Sequence, residues 1–233
     1  MTAPQRPAVT AASSIQPDWR CAYWCALLAL GFAYVAMVLC HRSTPFASGD
    51  NQWNDWLGVM LSGPTLYLLS TRHTLRPFGE QRRTAMLWNV AGFGLLFFAA
   101  LHWEYVGRIT GASFSLTSRH LTHLNAASKT AVAVGLVIAA SVIALCLREA
   151  FRARILAPYL ASFATLIGTL AAVTVVLGPR YHVHIHHYFF SLALLPFVRF
   201  RQPVCFITQA ILAGVYVEGA TRWGLSPIWY GPS

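Results

Sequence analysis

Four histidines lie within six residues, in the segment Tyr181-His182-Val183-His184-Ile185-His186-His187-Tyr188. The pairs His182/His186 and His184/His187 are four and three residues apart, a spacing that places side chains on a common helix face. Neutral imidazole is the most common metal ligand in proteins, and polar groups at a membrane boundary are costly to keep there. The segment therefore predicts a transition-metal site with His184, His186 and His187 as its main ligands and His182 as a further one.

Acidic and basic groups near two other apolar segments complete the predicted site. Glu218 lies within the last apolar segment, where an unpaired carboxylate is costly, so it is a predicted catalytic residue. The structural alternative is an ion pair between Glu218 and Arg222, four residues later. His102 and Glu104 end the third apolar segment. We predict His102 as another metal ligand, with membership of an interfacial aromatic belt as its alternative, and Glu104 as a second candidate general base.

Three imidazoles with a carboxylate suit zinc, copper or non-haem iron, and the sequence does not choose among these metals. A catalytic zinc would keep one position for water and lower the pKa of that water towards about 7. Arg222 or Arg180 would then hold an anionic headgroup or a developing oxyanion. A redox metal on the same ligands would instead activate oxygen on a lipid-soluble substrate.

Composition places these residues in a membrane protein. The 233 residues are 56% hydrophobic and 10% charged, against about 25% charged residues in a soluble domain. Segments of roughly 20 apolar residues predict an all-α bundle of about seven transmembrane helices. Their approximate bounds are 21–40, 56–71, 85–101, 130–147, 155–177, 183–198 and 204–221. The second segment contains Ser62-Gly63-Pro64 and the sixth is short, so six crossings remain an alternative.

The remainder of the chain divides simply. Residues 1–19, rich in Ala, Pro, Ser and Thr, are predicted to form a disordered tail. Residues 20–233 are predicted to form a single transmembrane domain. No internal repeat is visible.

Arginine placement predicts the orientation of the bundle. Eleven of the 17 Lys and Arg residues fall at the N-terminus, as Arg6 and Arg20, and in the connections after the second, fourth and sixth helices. The positive-inside rule then places the N-terminus in the cytoplasm and the C-terminus outside, in a plasma or inner membrane. The net charge of +10 is explained by this topology and by attraction to membrane lipids, so nucleic-acid binding is excluded as its cause.

The last fifty residues resemble a known family. The run His184-Ile185-His186-His187-Tyr188, then Leu194-Leu195-Pro196, then Gln209, Gly214, Glu218 and Arg222-Trp223-Gly224, is similar to the C-terminal membrane region of fungal LCCL-domain proteins. That region carries a His-x-His-His-Tyr segment, a Leu-Pro step and an Arg-Trp-Gly ending. Glu218 departs from the polar residue expected there. The family brings no known reaction, so the resemblance implies only a His/Arg/Trp site built by the last two helices.

The combination of seven helices and three candidate zinc ligands also resembles the alkaline ceramidase and adiponectin receptor superfamily, whose zinc is held by three histidines. The resemblance is one of mechanism only, and it implies His102, His182 and His186 as the three ligands. We therefore predict a membrane-embedded, metal-dependent enzyme, either a hydrolase or an oxidoreductase, that acts on a lipophilic substrate at the outer face. The alternatives are a metal- or small-molecule-binding receptor or transporter, and a haem protein with two histidine ligands.

Overall fold

The computed structural model describes residues 18–40, 52–75, 83–105, 126–178, 180–183, 186–225 and 228–230. The described residues contain seven helices of eight residues or more and one very short antiparallel pair of strands. The helices are α1 (Trp19–Tyr34), α2 (Gln52–Leu66), α3 (Arg83–Ala100), α4 (Ala126–Arg152), α5 (Leu156–Leu177), α6 (His187–Leu194) and α7 (Pro203–Trp223). The strands β1 (His182–Val183) and β2 (Trp229–Tyr230) pair His182 with Tyr230 and Val183 with Trp229.

Three of the α-helices are extended by a short segment of π-helix or 3-10 helix. A π-helical turn, Val35–Leu39, extends α1, and another, Tyr67–Thr71, extends α2 and is followed by the short helix Arg72–Thr74. The turn in α2 comes soon after Pro64, which lies inside the helix and has no N–H to donate. A 3-10 turn, Leu195–Phe197, ends α6 at Pro196.

Each predicted apolar segment corresponds to a helix, and four helices of the described chain are long and apolar enough to cross a membrane. These four are Trp19–Leu39, Val132–Arg152, Leu156–Leu177 and Pro203–Trp223. They support an all-α membrane protein, while seven crossings and the orientation stay predictions.

The predicted start of the sixth helix was wrong. Residue 183 lies in β1, His186 has an extended backbone (φ −72°, ψ 150°), and the helix begins only at His187. With its 3-10 turn, α6 has eleven residues, about half the length needed for the roughly 30 Å hydrocarbon core. Strand pairing to residues nearly fifty positions later holds this stretch out of the helix.

Helix α7 lies at the centre of the bundle and packs most extensively on α3 and α6, with further contacts to α1 and α2. Gly214 permits the close approach of α7 to α3. A Cβ atom at this position would overlap the Phe97 carbonyl oxygen and lie 2.6 Å from the Ala100 Cβ. By contrast, α4 and α5 form a peripheral hairpin that is exposed along most of its apolar length, as expected for helices that face lipid.

The bundle has two chemically different ends. We call the end that contains Cys40, Asp55, Glu104 and Arg222 the carboxylate end, and the end that contains Arg20, Arg72, Arg199 and Arg201 the arginine end. At the arginine end, the Ser70 hydroxyl donates to the Leu195 carbonyl oxygen at 2.5 Å, which joins α2 to α6. At the carboxylate end, the Trp229 indole donates to the Thr174 hydroxyl at 3.0 Å, which joins β2 to α5.

Candidate functional site

An arginine between two carboxylates occupies the carboxylate end. Arg222, in the last turn of α7, places Nε 2.7 Å from Glu218 Oε1 and Nη1 2.5 Å from Glu104 Oε2. Glu218 lies one helical turn earlier on α7, whereas Glu104 follows the end of α3. The structure therefore brings together the three residues predicted as catalytic, and it contains the ion pair proposed as the structural alternative for Glu218. We call Glu104, Arg222 and Glu218 the triad.

The three members of the triad differ in access to solvent. The side chains of Arg222 and Glu218 are 2% and 1% exposed, and that of Glu104 is 22% exposed. A buried carboxylate of this kind requires a charge partner, and the guanidinium, with its fixed fork of N–H donors, supplies one to both acids. Glu104 is therefore the triad carboxylate that a molecule outside the bundle reaches most easily.

Cys40 lies close to the triad, just past the end of the first membrane-length helix. Burial raises the pKa of the Cys40 thiol, and the nearby charges of Arg222, Glu218 and Glu104 act on it as well. A thiol held in its neutral form is a poor nucleophile. Cys40 is therefore part of the wall of this site.

Asp55 closes the same end of the bundle from α2. It lies in the first turn of α2, and its Oδ1 accepts a hydrogen bond of 2.7 Å from the backbone N–H of Leu225, just past the end of α7. Gly224 has φ of +73°, and a Cβ atom there would lie 2.9 Å from the second Asp55 oxygen. The glycine after Arg222-Trp223 therefore allows the chain to turn tightly over the Asp55 carboxylate.

His186 faces the C-terminal strand. Its Nε2 lies 2.8 Å from the Tyr230 hydroxyl, and its half-buried ring stacks on that of Tyr188 with a centroid separation of 5.6 Å. Because His182 is in β1 and His186 is extended, the predicted helical spacing of this pair was wrong. His184 lies outside the described residues, and the side chains of His182 and His187 are likewise outside the description.

His102 is engaged with aromatic residues of α1 and of its own turn. Its Nε2 lies 3.3 Å from the Tyr34 hydroxyl, and its ring contacts those of Tyr34 and Tyr105. These contacts agree with the aromatic alternative that the sequence left open for His102.

The described side chains do not form a metal centre. Among them, no group of three or more His, Cys, Asp or Glu is placed to hold one ion. His186 contacts Tyr230, His102 contacts Tyr34, and both triad carboxylates contact Arg222. Because the side chains of His182, His184 and His187 are outside the description, a centre that combines His102 or Glu218 with the histidine segment stays a prediction.

A polar seam along the contact of α2 with α7 was not predicted. Near its middle, the Ser62 hydroxyl donates to the Val59 carbonyl oxygen and accepts a 2.8 Å hydrogen bond from the Tyr216 hydroxyl. Two turns further along, the Gln209 side-chain amide donates to the Ser70 hydroxyl. Three buried oxygen atoms of this part of the seam have no hydrogen-bond partner among the described residues. They are Gln209 Oε1, Thr71 Oγ1 and Thr74 Oγ1.

The seam had a weak signal in the sequence. Ser62 and Ser70 are eight residues apart on α2, and Gln209 and Tyr216 are seven apart on α7, so each pair lies about two turns apart on one helix face. Which helix lies beside α2 is not visible in this spacing, and only the packing identifies α7 as the partner.

Comparison with protein-family models, with curated proteins and with solved structures finds no match to this chain. The similarity of the last fifty residues to fungal LCCL-domain proteins thus stays a prediction.

Proposed function

We propose that this chain is an integral membrane enzyme whose site lies at the carboxylate end and acts on a lipophilic substrate. The observation that carries this proposal is the triad, in which one buried and one partly exposed carboxylate contact the same buried guanidinium at the end of the bundle. Ionisable groups at membrane depth are expensive and are retained chiefly where a function needs them. Exposure of α4 and α5 along their apolar length would allow a lipid-soluble substrate to approach from the bilayer.

The geometry supports different roles for the triad members. Glu104, the more exposed carboxylate, is proposed as the proton acceptor. Arg222 would hold Glu104 in place and attract an anionic group of the substrate. Glu218, which is buried and contacts Arg222, is proposed as a positioning residue for the guanidinium rather than as the general base.

A transition metal remains part of the proposal, with His184, His186 and His187 as its ligands. His186 belongs to the same end of the bundle as the triad, because it contacts Tyr230 of the strand that joins α5 through Trp229. Bound there, a zinc, copper or iron ion would supply Lewis-acid or redox chemistry. We further propose seven crossings, a cytoplasmic N-terminus, and a carboxylate end that faces outward.

Elemental analysis of the detergent-purified chain tests the metal. We expect about one transition-metal ion per chain in the wild type and its loss in a His184→Ala/His186→Ala/His187→Ala variant. His102→Ala should retain the metal, because His102 contacts Tyr34 in the structure. Absence of metal from the wild type, even after reconstitution with zinc, copper and iron, would refute the metal site, and an absorbance band near the Soret region would indicate haem instead.

Enzymatic activity requires a separate test. Purified chain in vesicles of total membrane lipid is compared with its Glu104→Gln and Glu218→Gln variants by following lipid loss and product formation by mass spectrometry. Relative to the wild type, we expect the Glu104→Gln variant to have no turnover and the Glu218→Gln variant to have reduced turnover. Equal turnover by wild type and Glu104→Gln would exclude Glu104 as the base.

A further inference from the structure

Three arginines lie on two neighbouring stretches of chain at the arginine end. Arg72 follows the π-helical turn of α2, and Arg199 and Arg201 lie in the connection between α6 and α7. The Ser70–Leu195 hydrogen bond draws these two connections together. Partial burial lowers the pKa of His73, and the positive charges of Arg199, Arg72 and Arg201 lower it further. We call these three arginines the arginine cluster.

Acidic residues of the described chain do not neutralise this cluster. At the same end, Asp18 pairs with Arg20 through Nε at 2.8 Å, and Glu149 pairs with Arg152 at 3.2 Å. None of the ion pairs between described residues includes Arg72, Arg199 or Arg201. Within the described residues, the cluster therefore presents an excess of positive charge with planar donor groups suited to phosphate oxygens.

An apolar cleft adjoins the cluster. It has a volume of about 360 Å³ between the start of α1 and the end of α2, and Arg72 belongs to its wall. Its other walls are Asp18, Cys21, Pro64, Tyr67 and Leu68. The Asp18 carboxylate is already occupied by Arg20 and by the Tyr67 hydroxyl. Arg72 is therefore the charged residue of the cleft that is available to bind an anionic ligand.

We propose that the arginine cluster binds the phosphate of an anionic phospholipid, with part of its acyl chain in the adjoining cleft. Positive charge, arginine forks and a neighbouring apolar wall together match a phosphodiester attached to a hydrocarbon chain. Basic pockets at helix ends are known to bind anionic headgroups in this way. This site is distinct from the triad, which lies at the opposite end, so it does not depend on the proposed enzymatic function.

Lipid titration of the delipidated, detergent-solubilised full chain tests the proposal, with binding followed by native mass spectrometry. The probes are phosphatidylglycerol and phosphatidylethanolamine with identical acyl chains. We expect one phosphatidylglycerol to bind at least tenfold more tightly than phosphatidylethanolamine. Arg199→Gln/Arg201→Gln should weaken phosphatidylglycerol binding about thirtyfold, because each arginine near an anionic headgroup contributes about fivefold.

The matched control is Arg148→Gln/Arg152→Gln, which removes two positive charges from the same end but outside the cluster. It should change phosphatidylglycerol affinity less than about threefold, because neither arginine lines the cleft or is among the charges that act on His73. Equal weakening by the two double variants would show diffuse attraction and overturn the site, as would equal affinity for the two lipids. Inorganic phosphate that displaced the lipid at equal concentration would identify a free-phosphate site and overturn the lipid assignment.

A second readout covers the case in which the double variant does not fold. In wild-type protein, an occupied cluster should raise the pKa of His73, because the bound phosphate offsets the positive charges that lower it. Histidine NMR titration with and without phosphatidylglycerol measures this change. A His73 pKa that did not move in the presence of bound lipid would place the lipid elsewhere.

Discussion

Removal of Arg222 should be the most damaging single change in the triad. Arg222→Gln leaves Glu218, a side chain 1% exposed, without the guanidinium 2.7 Å away. Breaking a buried ion pair from one side costs about 3–5 kcal/mol because an uncompensated charge stays behind. Glu218→Gln leaves Arg222 paired with Glu104, so it should cost only about 1–3 kcal/mol.

The double variant Glu218→Gln/Arg222→Gln separates this explanation from a simple loss of contacts. With both charges removed, only the partly exposed Glu104 remains, and water can hydrate it. The double variant should therefore be more stable than Arg222→Gln alone by about 1 kcal/mol or more. Arg148→Gln, an exposed arginine at the opposite end, serves as the control and should change stability by less than about 0.5 kcal/mol.

Reversible unfolding by dodecyl sulfate in mixed micelles, followed by far-UV circular dichroism, measures these free energies. Two results would refute the reasoning. An Arg222→Gln cost below about 1 kcal/mol would mean that water or lipid headgroups already solvate the triad. If the double variant cost the sum of the two single variants, the charges of Glu218 and Arg222 would not interact across the 2.7 Å between them.

Three further predictions test other parts of the fold, the first two by the same unfolding assay and the third by thermal melts. Gly214→Ala should lower the free energy of unfolding by about 1–3 kcal/mol, because its Cβ would overlap the Phe97 carbonyl oxygen. Gly168→Ala should leave this free energy unchanged, because there is open space around Gly168. Equal effects of the two substitutions would contradict the close helix contact. Tyr216→Phe and Ser62→Ala should each lower the free energy of unfolding by about 0.5–1.5 kcal/mol. The double variant should lower it scarcely more, because the two side chains share one hydrogen bond. Additive effects would show that this hydrogen bond is absent. Hydrogen bonds from Arg20 and Tyr67 lower the pKa of Asp18 from 3.8 to about 2, so the stability that Asp18 contributes is complete above pH 4 and is lost as the pH falls through 2. Thermal melts from pH 5 to 2 should show this loss in the wild type and a smaller one in Asp18→Asn; identical profiles would mean that Asp18 is not ionised against Arg20.

The histidine segment shows where sequence reasoning failed. The three- and four-residue spacings of the histidines predicted a helix, because periodicity records which residues could share a face but not which conformation prevails. The structure instead pairs His182 with Tyr230 in a strand and starts the helix at His187. That pairing joins residues 48 positions apart, and no local pattern near residue 182 reveals it. The metal ligands predicted from this spacing stay untested as a set.

The seven apolar segments and the separation of the bundle into two chemically different ends were predictable from the sequence. Apolar length determines which stretches form helices in lipid, since every backbone group must be bonded within its own segment. Up-and-down alternation then requires that Glu104 and Arg222 share one end, as the structure shows. The tail at residues 1–17 lies outside the described residues, so its predicted disorder stays a prediction.

Helix neighbours and side-chain partners were decided only by tertiary packing. The spacing of Glu218 and Arg222 indicated an ion pair, but not that the same guanidinium would also bind Glu104 from α3. Likewise, nothing local pairs Ser70 with Gln209, or the Asp55 carboxylate with the Leu225 N–H. Lipid tails are as apolar as the side chains of these helices, so hydrophobicity alone does not choose between neighbours. The choice instead depends on close approach at small residues such as Gly214 and on specific polar contacts, which exist only once the helices are assembled.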